Sequence, residues 1–294
     1  MATVGLVGLG LLGAAVAARL RARGHEVLGY DVLPEKVQGL VALGGRGAAS
    51  AEAVARGSDV VCTLLPSPAS VDEAILGADG IVAGARAGQT LIQMSTISPA
   101  QTERLARETS GRGLHFLDCP VSGTSAMVAR GEGIIFVGGD PALAERWRPL
   151  LEAILPRAVY VGAAGRAMAL KLVANLLVAL HTAAAAEALL MAERAGLDPA
   201  LALEILTGSA ATSRMLEVRG PMLVRREFPP QMKLDLFMKD LALILEAGSQ
   251  AGAPLPLTRV AQQLYGAAQA AGRGGEDLAV AITALERLRD SSAG

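Results

Sequence analysis

The chain has 294 residues, a formal net charge of −1, 52% hydrophobic residues and only 3% aromatic ones. That length makes one large domain or two smaller ones, able to bury a core without disulfides or structural metals. A charge near zero with few rings argues against a nucleic-acid surface. Two cysteines make neither a disulfide scaffold nor a Cys-rich zinc site, and the apolar content excludes disorder.

Residues 3–7 read as a short apolar strand. Residues 11–23 read as an Ala- and Leu-rich helix, with Gly24 just past its end as a cap. No charge precedes Arg19, yet Gly5, Gly8, Gly10 and Gly13 interrupt the apolar run and no basic segment opens it. It therefore reads neither as a membrane span nor as a secretory signal. The run Gly8-Leu9-Gly10-Leu11-Leu12-Gly13 has the spacing of a dinucleotide-binding turn. Gly8 permits the tight turn, Gly10 lets a pyrophosphate approach the backbone, and Gly13 lets the helix lie close to the sheet. Leu11 and Leu12 open the helix, whose free N–H groups and partial positive charge face the phosphates.

Residues 27–30 form the second strand, and Asp31 stands at its end, 18 residues after Gly13. A carboxylate there accepts hydrogen bonds from the adenosine ribose and repels a 2′-phosphate, which favours NAD over NADP. Lys36, on the next helix, is the one group nearby that suits a phosphate, so NADP stays open as the second choice.

Helices are predicted over 34–43, 68–76, 99–109 and 141–153, alternating with strands over 60–64, 90–93, 115–118, 134–137 and 158–161. This alternation gives a mainly parallel, doubly wound sheet with helices on both faces. The last strands lie closer together in sequence, which points to a mixed far edge. A turn at 162–165 then leads into a long helix to about residue 195, uncharged between Lys171 and Glu187. Lys171, Asn175, His181 and Thr182 argue against its crossing a membrane. Asp198 and Pro199 start another helix as N-cap and first residue. The chain then stays helical to about residue 288, and 291–294 read as a frayed tail. The fold class is an α/β Rossmann domain, residues 1–162, followed by an all-α domain, residues 163–294, joined by a long interdomain helix.

Three later segments carry candidate chemistry. The loop Asp118-Cys119-Pro120-Val121-Ser122-Gly123-Thr124 follows a strand, where ligands sit in such sheets. Its N–H groups and the Ser122 and Thr124 hydroxyls suit a substrate carboxylate; an ordinary turn is the alternative. Lys171 and Asn175, four apart, share one face of an otherwise apolar helix. They read equally as an acid/base pair or as polar groups with structural partners. Met238-Lys239-Asp240 reads by itself as a surface charge pair. His25, His115 and His181 lack metal-ligand spacing, so no metal is expected. His181 reads as a hydrogen-bonded helix-interior residue, Cys119 as a small buried one. Arg130, Arg214 and Arg219 read as solvated.

Together these segments, with Leu65-Pro66 and Ser95-Thr96-Ile97-Ser98-Pro99, resemble the β-hydroxyacid dehydrogenase family over nearly the whole chain. The resemblance implies that Lys171 is the general acid/base and that Asn175 binds and orients substrate. It implies that Ser122 and Gly123 hold the carboxylate, and that Leu65, Pro66, Thr96 and Lys239 contact the cofactor. Three places depart from the family's usual pattern. Thr124 stands where Gly is common, Ala167 replaces a Gly before the lysine, and Leu12-Gly13-Ala14-Ala15-Val16-Ala17 replaces the usual Met-Gly-x-Pro-Met-Ala. The expected protein is a cytoplasmic NAD(P)-dependent oxidoreductase of a small 3-hydroxy acid, a homodimer or homotetramer, without nucleic-acid or membrane partners. An imine reductase and a non-catalytic dinucleotide-binding protein are the alternatives.

Overall fold

The computed structural model describes residues 2–290; the tail expected at 291–294 lies outside them. In chain order the first part comprises β1 (Thr3–Val7), α1 (Leu11–Ala22), β2 (Glu26–Tyr30), α2 (Pro34–Ala42), β3 (Arg46–Gly47), α3 (Ala51–Arg56), β4 (Val60–Thr63), α4 (Pro68–Leu76), α5 (Ile81–Gly84), β5 (Thr90–Gln93), α6 (Pro99–Ser110), β6 (His115–Asp118), β7 (Val121–Ser122), α7 (Ser125–Ala129), β8 (Ile134–Gly139), α8 (Pro141–Ile154) and β9 (Ala158–Gly162). Then follow α9 (Arg166–Arg194), α10 (Pro199–Thr207), α11 (Arg214–Arg225), α12 (Leu234–Gln250), α13 (Pro256–Ala268) and α14 (Ile282–Asp290). A π-helical turn at Gln269–Arg273 and a 3-10 turn at Leu278–Ala281 separate the last two.

The chain divides at Lys171/Leu172 into two compact units. The first is built on one sheet in the order β3-β2-β1-β4-β5-β6-β8-β7, with β9 paired to β8. The strands from β3 to β6 are parallel; β8 runs antiparallel to β6 and β7, and β9 parallel to β8. The far edge is therefore mixed, as the close spacing of the last strands predicts. Successive residues alternate between the sheet faces. Val60 and Cys62 join a core with Val16 and Leu20 of α1 and Leu150 and Leu151 of α8. Val61 joins the opposite core, with Val54 of α3, Val71 and Ile75 of α4 and Leu105 of α6. From β1 the chain winds one way through β2 and β3, then returns to β4 on the other side of β1. The crevice beyond β1 is thus the switch point where such sheets bind ligands.

The second unit is helical, with an isolated bridge between Lys233 and Asp277. Its core gathers Ala179, Ala186 and Leu189 of α9, Leu223 of α11, Phe237 and Leu241 of α12 and Tyr265 of α13. Ala179 is small enough for Tyr265 to reach its backbone, and the Tyr265 hydroxyl donates to the Ala179 carbonyl at 2.8 Å. Phe237 meets the Tyr265 ring edge-on at 6.1 Å. Asp198 caps α10 and Pro199 opens it, as expected.

Candidate active site

The glycine turn is shaped by contacts that a side chain would destroy. Val7 pairs with Tyr30 on one side and Thr63 on the other, so Gly8 leaves the sheet between two neighbouring strand ends. Gly8 has φ +97°, where L side chains are strained, and a Cβ there would strike the Leu64 carbonyl. A Cβ on Gly13 would strike the Gly8 carbonyl. Gly10 is different: nothing lies within 4 Å of its Cβ position, and no side chain caps α1 behind it. An open backbone at the uncapped N-terminus of a 12-residue helix fits a dinucleotide pyrophosphate. Leu11 is exposed there, while Leu12 is half-buried.

Asp31 has a structural task as well as the expected one. Its Oδ2 accepts the Leu9 N–H at 2.7 Å, and its Oδ1 accepts the Leu33 N–H at 3.0 Å. The carboxylate thus braces the glycine turn and remains half-exposed, with lone pairs left for ribose hydroxyls.

Leu65, Pro66 and Thr96 lie on the loops after β4 and β5, and a buried polar cluster ties those loops together. Ser95 Oγ accepts the Leu65 N–H at 2.8 Å and donates to the Thr63 carbonyl at 3.3 Å. Gln93 donates to the Ser95 carbonyl at 2.9 Å and accepts the Ser95 N–H. Gln93 is a shaping residue that motif reading passed over, and Ser95, read only as the first residue of its motif, is a second.

Asp118, the last residue of β6, is fully buried. Its Oδ2 accepts the N–H groups of Gly165 and Met168, both at 3.0 Å. Burial pushes its carboxyl up to about 7 despite the opposing backbone bonds. Cys119 is fully buried, as expected, and its thiol is raised far above the usual range by that burial, then by Asp118 and Cys62. Ser122, which ends β7, and Gly123 just after it are half-buried. Thr124 is the N-cap of α7: its Oγ1 accepts the Met127 N–H at 3.2 Å. The residue that departs from the family pattern therefore starts a helical turn and keeps its hydroxyl proton to donate.

Lys171 and Asn175 both lie on α9 and are buried, 7% and 4% exposed. Within the second unit, Asn175 Nδ2 donates to Asp240 Oδ2 at 2.8 Å, and Lys239 Nζ lies 2.9 Å from Asp240 Oδ1. The pair read from sequence as a surface feature thus includes a buried carboxylate. Asp240 is tied to Asn175, a link that charge pairing alone did not reveal, because the two lie 65 residues apart. Arg219 is corrected likewise. Instead of being solvated it is buried and donates to the fully buried Asp277 at 2.7 Å. His181 lies within α9 and is exposed there. Among the described residues, no three His, Cys, Asp or Glu side chains are placed to hold a metal ion.

Comparison with known proteins supplies the family. Residues 3–162 match the family described as the NAD binding domain of 6-phosphogluconate dehydrogenase. Residues 165–285 match the one described as NAD-binding of NADP-dependent 3-hydroxyisobutyrate dehydrogenase. The 2-hydroxy-3-oxopropionate reductase of Escherichia coli is 35% identical over 285 residues, covering 97% of each chain. The chain belongs to the β-hydroxyacid dehydrogenase family. A solved 3-hydroxyisobutyrate dehydrogenase of this family, from Salmonella typhimurium, superposes with a TM-score of 0.88 at 32% identity, over 96% of this chain and 99% of that one. Psf3, solved with NADP+ and 2-OPP, has a TM-score of 0.88 at 25% identity, over 96% and 99% of the two chains. An imine reductase from Myxococcus stipitatus has a TM-score of 0.65 at 18% identity over the same shares, a likeness of fold alone. Like other β-hydroxyacid dehydrogenases, the chain is an NAD(P)-dependent oxidoreductase.

Proposed function

We propose that this β-hydroxyacid dehydrogenase interconverts a small 3-hydroxy acid and its semialdehyde or keto acid, with NAD preferred over NADP. The observation that carries the reading is the pair Lys171 and Asn175, buried four residues apart on α9, where Lys171 is the single Lys, Arg, Asp or Glu between Arg166 and Glu187. Buried polar side chains of this kind persist where they have partners or chemistry to do.

When bound, the nicotinamide would supply the hydride acceptor in oxidation and, in its reduced form, the hydride donor in reduction. In oxidation Lys171 takes the proton of the substrate hydroxyl, and in reduction it returns it. Asn175, oriented by Asp240, aligns the hydroxyl. The Gly123 N–H, with the Ser122 and Thr124 hydroxyls, binds the carboxylate and so contributes the proximity term. Gly8, Gly10, Leu11, Leu12 and Gly13 cradle the pyrophosphate, Asp31 the adenosine ribose, and Leu65, Pro66, Thr96 and Lys239 the remainder of the cofactor. The Asp31 charge supports NAD, since a 2′-phosphate beside a carboxylate is repelled. Residues 1–162 serve as the dinucleotide domain and 163–294 as the substrate and oligomerisation domain. A cytoplasmic location accords with the free thiols of Cys62 and Cys119.

Lys171→Ala and Lys171→Met test the assignment. Turnover should fall by at least ~10²-fold while NAD still binds, the scale expected for a lost general acid/base. Unchanged turnover contradicts it.

A further inference from the structure

Helix α9 begins without an adjacent side chain to cap it; locally the Ala163 carbonyl takes the Arg166 N–H at 3.1 Å. The residue before it is Gly165, which has φ +89° and no side chain to accept the first N–H groups of the helix. Nor does the position admit the usual Ser, Thr or Asp. The backbone sits in the left-handed region, and a Cβ there would lie 3.0 Å from the Glu103 carboxylate. The missing acceptor comes from 47 residues upstream, where Asp118 Oδ2 takes the Gly165 N–H and, three residues into the helix, the Met168 N–H.

Asp118 is itself firmly placed. Its backbone is paired in register with Gln93 of β5 and Gly138 of β8. Met168 is fully buried in the core that also holds Leu105 and Phe116. One residue after Asp118 the substrate loop begins, and three residues after Met168 stands Lys171, about 4.5 Å further along the helix. The other carboxylate oxygen, Oδ1, is buried with no hydrogen-bond partner among the described residues. A carboxylate buried with half its acceptor capacity unused is a costly way to cap a helix.

We propose that Asp118 is a positioning residue of the reaction: through its one oxygen it fixes the start of α9, and so the place of Lys171, against the substrate loop that follows it. This rests on Lys171 as the acid/base. Misplacing a catalytic group by about 1 Å costs on the order of 10²-fold in rate, so a cap that sets the helix start acts on turnover more than on cofactor binding.

The test uses the full-length enzyme with the fastest oxidised of 3-hydroxyisobutyrate, glycerate and 3-hydroxypropionate. Asp118→Ala should lower kcat by about tenfold or more with the NAD dissociation constant unchanged, whereas Asp118→Asn, whose amide oxygen still accepts both N–H groups, should stay within about threefold of wild type. In a Lys171→Ala background, Asp118→Ala should change the residual turnover by less than about twofold, because the group it positions is gone. If Asp118→Ala yields no folded protein, Asp118→Glu takes its place, with the same kcat loss and retained NAD affinity expected. Wild-type turnover in the Ala or Glu variant, an Asn variant as slow as Ala, or the same loss with and without Lys171 overturns the proposal. A Lys171→Ala enzyme as fast as wild type instead overturns the acid/base reading itself.

Discussion

The Asp118 carboxyl makes a stability prediction separate from its effect on rate. Burial holds it at about 7, against an ordinary 3.8. Between roughly pH 4 and 7 the native protein keeps a proton that the unfolded chain has released. Stability contributed by the protonated group is therefore present at low pH, falls as pH rises through that window, and is lost above 7. The nearby thiols do not compete in this range: Cys62 is pushed up to about 12 by burial, and Cys119 is held well above its usual value. Glu103 is present in both proteins and cancels in the comparison. Asp118→Asn should flatten the pH dependence of the unfolding free energy between pH 4 and 7 and be more stable than wild type at pH 8. Denaturant titrations at several pH values measure this; superimposable profiles contradict it.

Among the elements, Asp277 links three segments of the helical unit. Its Oδ1 accepts from Arg219 of α11 at 2.7 Å and from the Ala279 N–H at 3.1 Å. Its Oδ2 accepts the N–H groups of Gln231, at 3.2 Å, and Met232, at 3.0 Å. Asp277→Ala leaves Arg219 buried and unpaired, so unfolding in urea should show a loss of about 3–5 kcal/mol. A loss below about 1 kcal/mol would mean that Arg219 finds water or another partner. None of this was legible in the sequence, because arginines are usually solvated and the partner lies 58 residues away. The longer elements were legible. Apolar runs such as Val60–Thr63 and Thr90–Gln93 declare strands, and Pro and Ser at 67–68 and 98–99 declare helix starts. By contrast β3, β7, α3, α5 and α7 span two to six residues, too few for a hydrophobic period to register. The glycine turn was readable because Gly8 and Gly13 each answer a backbone contact nearby in the fold, while Gly10 leaves its backbone open. Asp118 and Asp240 bond partners 47, 50 and 65 residues away, which come near only in three dimensions.

At the scale of the whole molecule, α9 is long and apolar enough to cross a membrane. It nonetheless buries Lys171, Asn175 and Thr182 and packs against the helical core. Its outward stripe is apolar too: Leu170, Val173, Leu177 and Met191 are 38%, 55%, 47% and 76% exposed. Leu170, Leu177, Ala184 and Met191 recur every seven residues, the spacing of a helix-packing seam. A second copy of this chain is the proposed cover, giving a homodimer or homotetramer. Light scattering should report a multiple of 30.0 kDa for wild type and a smaller species for Val173→Glu/Leu177→Glu. A wild-type particle of monomer mass contradicts it.

The central claim is the reaction. Its most direct measurement follows absorbance at 340 nm as wild-type enzyme meets 3-hydroxyisobutyrate, glycerate and 3-hydroxypropionate, each with NAD and with NADP, beside Lys171→Ala. Nicotinamide reduction is expected with at least one of these acids, faster with NAD, and is lost in the variant. Reduction of cyclic imines by NADPH with no oxidation of any hydroxy acid, or cofactor binding without turnover on any substrate, would contradict it.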